Sequence, residues 1–201
     1  MIDFDLNRDY ILEDKRVLLR PLLNEDIDHL IPFSLHEPEI WKYSLLNAAG
    51  EENMRKYFDL AQGARVDRKE YPFIVFDKKT GRYAGTTRYY DMQLAFQTLQ
   101  LGYTWYGRDF QGTGLNRHCK FLLLQFAFEE MDIVRVEFRA DNNNKRSIAA
   151  MKSIGCIEEG VLREHLPTHD HKGRRDSIVL SILKSEWENT VKDKLRSSIQ
   201  P

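Results

Sequence analysis

Gly112 and Gly114 stand two positions apart in Phe110-Gln111-Gly112-Thr113-Gly114-Leu115-Asn116, between an aromatic run and a long apolar one. Upstream, residues 99–106 have the aromatic and β-branched character of a half-buried strand. Downstream, apolar residues at 115, 119, 122, 123, 126 and 127 keep helical spacing. Phe121, Leu124 and Phe128 extend that stripe most of the way round, which predicts a largely buried helix from Leu115 to Met131. A glycine pair at a strand-to-helix junction lets the backbone turn sharply and approach a ligand closely. The free N–H groups and positive dipole end of the helix then favour an anion, most naturally a phosphate. A plain strand-to-helix turn accounts for the glycines equally well. Two other phosphate loops are excluded. The triphosphate P-loop requires Lys-Ser or Lys-Thr after its glycines, and the dinucleotide fingerprint requires a third glycine and a downstream acid in a parallel unit.

The length of 201 residues fits one domain with a real core, so residues 1–201 are expected as a single domain with a short lead-in and a charged C-terminal tail. Thirty basic against thirty-one acidic residues leave a net charge of −1, with no domain-scale basic field for nucleic acid. The only cysteines, Cys119 and Cys156, lie in apolar segments and form no disulfide framework, which favours a reducing, cytoplasmic compartment. The acidic N-terminus lacks a signal pattern, and no apolar run is long enough to span a bilayer, so no membrane partner is expected.

Residues 16–22 read as a strand, followed by a helix cap at Asn24-Glu25-Asp26. Helical patterns fill roughly 25–65, including Trp41, Tyr43, Leu45 and Leu46, punctuated by Pro38 and Gly50. Residues 71–76 are a strand, 78–82 a hairpin turn, and 83–92 with 94–106 continue an antiparallel meander. After the long helix come a strand at 133–139, a loop at 141–144 and a helix at 145–154 ending at Gly155. Strands near 157–163 and 176–183 flank the polar loop 168–175, and the tail from Glu186 is helical. This order predicts a mixed α/β (α+β) fold: a twisted sheet of about seven mostly antiparallel strands with helices on both faces.

Three blocks carry a family resemblance. Gln111-Gly-Thr-Gly114-Leu-Asn116 is similar to the Gln/Arg-x-x-Gly-x-Gly/Ala signature, with Asn116 where Gly or Ala is usual. Asn144-Lys-Arg-Ser147 followed by Gly155-Cys156 is similar to an Asn-x-x-Ser block ending in Gly-Phe, with Cys in place of Phe. Glu159-Gly-Val-Leu-Arg163 resembles a third block. Together they resemble the GCN5-related N-acetyltransferases, in the branch that acetylates ribosomal proteins, over nearly all of Arg16 to Trp187.

The resemblance implies that fold, with acetyl-coenzyme A as donor and no metal. It places the pantetheine arm along Thr104, Trp105 and Tyr106, and the pyrophosphate over Gln111, Gly112, Thr113, Gly114, Leu115 and Asn116. Asn144 is implied on the opposite wall. Asn116 fits if its side chain points away from the phosphates, and Arg117 and Lys120 are either phosphate contacts or solvated helix charges. The acceptor is an amine, first a protein or peptide N-terminus. A small-molecule amine (aminoglycoside, amino acid or polyamine) is the alternative, as is a non-catalytic acyl-coenzyme A-binding module. Trp41, Arg88, Tyr90 and Tyr103 are candidates to line the acceptor pocket, with Tyr43 beside them; each is equally a core residue. The expected assembly is a monomer or homodimer.

Amide formation from a thioester needs a neutral amine, oxyanion stabilisation and a proton for the leaving thiolate. By the resemblance, the Tyr106 backbone N–H is the oxyanion donor. The tyrosine that many relatives use as acid falls at Met151, which leaves Ser147 as the candidate. No base is assigned: Gln100 stands where some relatives have Glu, Glu137 lies on a solvated or salt-bridged face with Arg135 and Arg139, and His118 reads as a surface or packing residue. His169 and His171 make a poor metal pair.

Overall fold

The near-continuous apolar run of a central strand such as Tyr71–Phe76 commits both faces of the sheet to burial. In the computed structural model, which describes residues 4–170 and 172–199, eight strands form one sheet. They are β1 (Leu12–Glu13), β2 (Val17–Pro21), β3 (Tyr71–Asp77), β4 (Arg82–Gln93), β5 (Thr98–Tyr106), β6 (Arg135–Asp141), β7 (Ile157–Pro167) and β8 (Arg174–Leu183). The helices are α1 (Ile27–His36), α2 (Glu51–Val66), α3 (Leu115–Gln125), α4 (Lys145–Ser153), α5 (Lys184–Glu186) and α6 (Lys192–Ser197). A π turn, Phe126–Glu130, prolongs α3, and another, Trp187–Val191, joins α5 to α6. The strand order is β1-β2-β3-β4-β5-β6-β8-β7, antiparallel throughout except for β5 with β6.

Side chains alternate between two cores, as the strand period of two requires. Tyr71, Phe73 and Val75 of β3 join Leu115, Leu123 and Phe128 of the α3 region, with Ile148 of α4 and Trp187, on one face. Ile74 of β3 turns the other way, to Leu30 of α1 and Met54, Tyr57 and Phe58 of α2. Helices thus cover both faces, and each fully buried large side chain contributes roughly 1.5–3 kcal/mol of apolar burial.

One reading is corrected, and the sheet gains one short strand. The helical patterning expected through Trp41, Tyr43, Leu45 and Leu46 gives only a 3₁₀ turn, Pro38–Trp41, followed by turns to Gly50. Local side-chain bonding competes there: the Asn47 side-chain oxygen accepts from the Ala49 N–H at 2.9 Å, and Gly50 enters α2 at φ +82°. The sheet has eight strands rather than about seven, because β1, two residues long, is too short to show a period.

The feature that positions the site is a fork. β5 and β6 pair in parallel only at Thr98–Arg135, Leu99–Val136 and Gln100–Glu137. Beyond Gln100, β5 stays with β4 and no longer pairs with β6. A bulge follows at once: the β4–β5 register slips between Arg88–Gly102 and Thr86–Trp105, and Tyr103 takes φ +47°. An extra residue in one strand bends it and reverses its facing. Leu99 and Leu101 therefore enter the α3 core, whereas Trp105 enters the α1–α2 core and Tyr106 returns to the first. Gly85 accommodates the bend, since a Cβ there would lie 2.0 Å from the Trp105 carbonyl oxygen.

Candidate active site

The strand-to-helix turn is locked by its own side chains. The Gln111 side-chain amide donates to the Tyr106 carbonyl at 2.6 Å, and the Thr113 hydroxyl donates to the Phe110 carbonyl at 2.8 Å. Gly112 and Gly114 adopt φ +74° and +88°, and a Cβ on either would meet nothing within 4 Å. Among the described residues, no protein acceptor takes the backbone N–H of Gly112, Thr113, Gly114 or Asn116. Such a group of N–H donors at the start of a helix is what a pyrophosphate binds. The Asn116 side-chain oxygen instead accepts from the Tyr106 hydroxyl at 3.3 Å, so the side chain turns towards the core and away from the turn's mouth. Arg117 is exposed beside the turn. A cleft of about 430 Å³ runs from Thr113 and Gly114 to Lys15, Arg16 and His118.

The ladder also aims Tyr106. The Gly107 N–H donates to the Ala84 carbonyl, so 84 and 107 form a hydrogen-bonded pair. By antiparallel alternation the neighbouring pair, Gly85 and Tyr106, is not hydrogen-bonded. The Tyr106 N–H therefore faces the side from which β6 has departed. Its phenol does not: burial holds that hydroxyl protonated, with its pKa well above the usual tyrosine value. Thr104, one turn of the pleat earlier, is half-buried on the α3 side.

Asn144 and Ser147 follow the end of β6, on the other arm of the fork. Asn144 caps α4, its side-chain oxygen accepting from the Ser147 N–H at 3.1 Å. Ser147 is half-buried, and its hydroxyl makes no hydrogen bond with the described residues. Asp141 shapes this loop by accepting from the Asn143 N–H at 2.8 Å.

Lys120 departs from both of its expected places. Neither solvated nor beside the turn, it is 5% exposed, and its Nζ donates to Thr104 Oγ1 at 2.8 Å and Thr87 Oγ1 at 3.3 Å. Burial pulls its pKa down to about 8. The threonines that receive it stand on β4 and β5, 33 and 16 residues away in sequence.

Three of the four candidate acceptor residues come together. Arg88, buried, pairs with Glu70 at 2.6 Å and lies over the rings of Tyr103 (4.2 Å) and Tyr57 (5.0 Å). Tyr90 meets Tyr103 edge-on at 4.9 Å, and burial raises the pKa of both phenols. Trp41 is buried within the α1–α2 core against which Tyr103 packs, 1% exposed and edge-on to Trp105 at 5.3 Å. Arg175, which the sequence did not single out, joins the group: it is buried, donates to the Tyr43 carbonyl at 3.3 Å and the Ser177 hydroxyl at 3.1 Å, and burial lowers its pKa.

Glu137, Gln100 and His118 are each committed to other partners. Glu137 is bonded to Arg135 at 2.9 Å and Arg139 at 2.6 Å, and the Gln100 side-chain amide donates to Asp91 at 2.7 Å. His118 meets Asp14 at 2.6 Å. Burial raises the Asp14 carboxyl, but the bonds from His118 and two backbone N–H groups outweigh it, and the net shift is downward. His171 lies outside the described residues.

Comparison with known proteins agrees with this fold. A family model described as the acetyltransferase (GNAT) domain matches residues 16–157. "Putative ribosomal N-acetyltransferase YdaF" from Bacillus subtilis (strain 168) is 31% identical over 108 residues, 54% of this chain and 57% of that protein. The match to that relative thus spans less than two thirds of its length. A GCN5-related N-acetyltransferase from Brucella melitensis superposes with a TM-score of 0.87 at 24% identity, covering 96% of this chain and 86% of its own. Mycobacterium smegmatis RimJ, solved in complex with CoA-disulfide, shares the fold with a TM-score of 0.73 at 18% identity, covering 94% and 93%.

Proposed function

The chain belongs to the GNAT acetyltransferase family, and from that premise we propose that it moves an acetyl group from acetyl-coenzyme A to the amino terminus of a protein or peptide. The observation that carries this reading is the β5–β6 fork opening towards a turn with four uncommitted backbone N–H groups. On this reading residues 1–201 act as one acetyltransferase domain. The pyrophosphate sits over Gln111 to Asn116, with Arg117 near the phosphates, and the pantetheine runs along Thr104, Trp105 and Tyr106. Asn144 meets the coenzyme from the β6 side.

The chemistry is direct attack. The acceptor nitrogen forms a bond to the thioester carbonyl carbon, negative charge gathers on the carbonyl oxygen, and the C–S bond breaks. The Tyr106 N–H is preorganised to take that oxyanion, because the ladder already directs it into the fork. The Ser147 hydroxyl is free to hydrogen-bond the departing sulfur. The acceptor approaches over Arg88, Tyr90 and Tyr103 on the α1–α2 side. A peptide acceptor is favoured by likeness to a relative whose name specifies a ribosomal N-acetyltransferase.

A thermal-shift titration with acetyl-coenzyme A, coenzyme A and ATP tests the donor site. Ligand at about a hundred times its Kd stabilises a fold by roughly 2.7 kcal/mol. A shift with both coenzyme forms and none with ATP supports the site; no shift with either overturns it. Thiol release with ribosomal-protein N-terminal peptides against a panel of small amines then decides the acceptor class.

A further inference from the structure

Lys120 is a buried ammonium for which the described residues supply no carboxylate. Two of its three N–H donors go to neutral hydroxyls, Thr104 Oγ1 and Thr87 Oγ1, which are themselves 2.7 Å apart. Its titratable neighbours are the thiols of Cys119 and Cys156, each pushed up to about 12 by burial and hence neutral at neutral pH. A cation taken out of water without a counter-ion is costly, and replacing it by an apolar side chain of the same length would remove that cost. Its position explains what the cation is for. Thr104 lies on β5 just past the bulge, and the Phe138 ring, 6.0 Å from Nζ, lies on β6 just past the last parallel pair. The ammonium therefore rises from α3 between the two arms where they part.

We propose that Lys120 is the cationic partner of the donor's sulfur: it holds the leaving coenzyme A as a thiolate in the fork and then supplies its proton. The inference rests on the acetyl-coenzyme A reading above. As the C–S bond breaks, its electron pair passes to sulfur, which is the anion that the buried ammonium lacks. One N–H bond of Lys120 then transfers its proton to sulfur, giving coenzyme A thiol and a neutral amine. The proton shed by the acetylated nitrogen leaves to solvent, and the amine regains one from solvent before the next turnover. A pKa near 8 suits both halves of this exchange with a thiol of ordinary pKa ~8.5.

The test is a proton count on binding, made without turnover. Calorimetry at neutral pH in buffers of different ionisation enthalpy gives the protons released when protein binds coenzyme A, desulfo-coenzyme A or acetyl-coenzyme A. An ordinary thiol is protonated at neutral pH, so a bound thiolate means release of about one proton. The proposal expects that release from the wild type with coenzyme A alone, because the sulfur–Lys120 pair then holds one proton fewer than the separate thiol and ammonium, and its loss in Lys120→Met. Coenzyme A binding to the wild type with no more proton release than desulfo-coenzyme A overturns the proposal, and this comparison needs no variant. Undiminished release in Lys120→Met also overturns it. Failure of the wild type to bind any of the three ligands is a different result, which overturns the donor reading and the Lys120 role with it.

Discussion

The side-chain amide of Gln111 donates to the main-chain carbonyl of Tyr106 at 2.6 Å, closing the turn between β5 and α3. That one bond couples the last residue of the forked strand to the first residue of the N–H-rich turn. The same peptide group that offers its carbonyl to Gln111 lies next to the N–H assigned to the oxyanion. Gln111→Ala should cost about 1 kcal/mol of stability, the usual net worth of one hydrogen bond. Its larger effect should be on KM for acetyl-coenzyme A, because the cradle is no longer held in register. Urea denaturation and initial-rate kinetics on the same preparation check both.

Gly112 and Gly85 are both glycines for different reasons, and alanine separates them. At Gly112 a Cβ meets open space, so the penalty of Gly112→Ala is backbone strain at φ +74°, about 1–2 kcal/mol, together with weaker coenzyme binding. At Gly85 a Cβ lies 2.0 Å from the Trp105 carbonyl oxygen, and β4 and β5 cannot close over it. Gly85→Ala should be the more destabilising of the two. The order of their urea midpoints is the measurement, and a Gly85→Ala midpoint at or above that of Gly112→Ala contradicts the bulge geometry.

Asn144 has two assigned tasks that one pair of variants distinguishes. Asn144→Ala should lose about 1 kcal/mol through the α4 cap and also weaken coenzyme binding. Asn144→Ser keeps a capping oxygen on a shorter side chain, so stability should return while coenzyme affinity does not. Equal recovery of both would show that Asn144 acts on the coenzyme only through the cap.

Lys120 should make the free protein more stable as pH rises. Its folded pKa is about 8 and its unfolded value about 10.4, so between these the unfolded chain binds more protons and stability increases with pH. Below about pH 8 the buried ammonium carries its full desolvation penalty, up to about 3 kcal/mol, and this is relieved as pH passes about 10. Lys120→Met lacks the group, so it should be more stable than the wild type at about pH 7, with the gap narrowing by about pH 9.5. Parallel urea titrations at the two pH values give the answer.

The architecture was largely legible because its signals are local. The meander, the α3 helix, the glycine turn and the Asn144 cap each arise within a few residues, from side-chain period, from conformations that favour glycine, or from a side chain reaching its own backbone. Failures of the same local kind were equally local. The segment after Pro38 has helical spacing but loses to turn bonding around Asn47 and Gly50, and β1 is too short to register.

The candidate site was legible only in part, and the division has a physical cause. From the sequence alone came the kind of fold, the turn with its N–H groups, and the residues around it. Only the tertiary structure decided that Tyr103 takes the left-handed conformation, that β5 leaves β6 after Gln100, and that the Tyr106 N–H faces the gap. It also decided that Trp41 goes to the core while Arg88, Tyr90 and Tyr103 gather, and that Lys120 lies beneath the fork without a counter-ion. Burial is a property of what packs against a residue from far along the chain. Whether a lysine is a solvated surface charge or a reagent depends on strands β4, β5 and β6 closing over it, and no stretch of sequence around Lys120 contains that information.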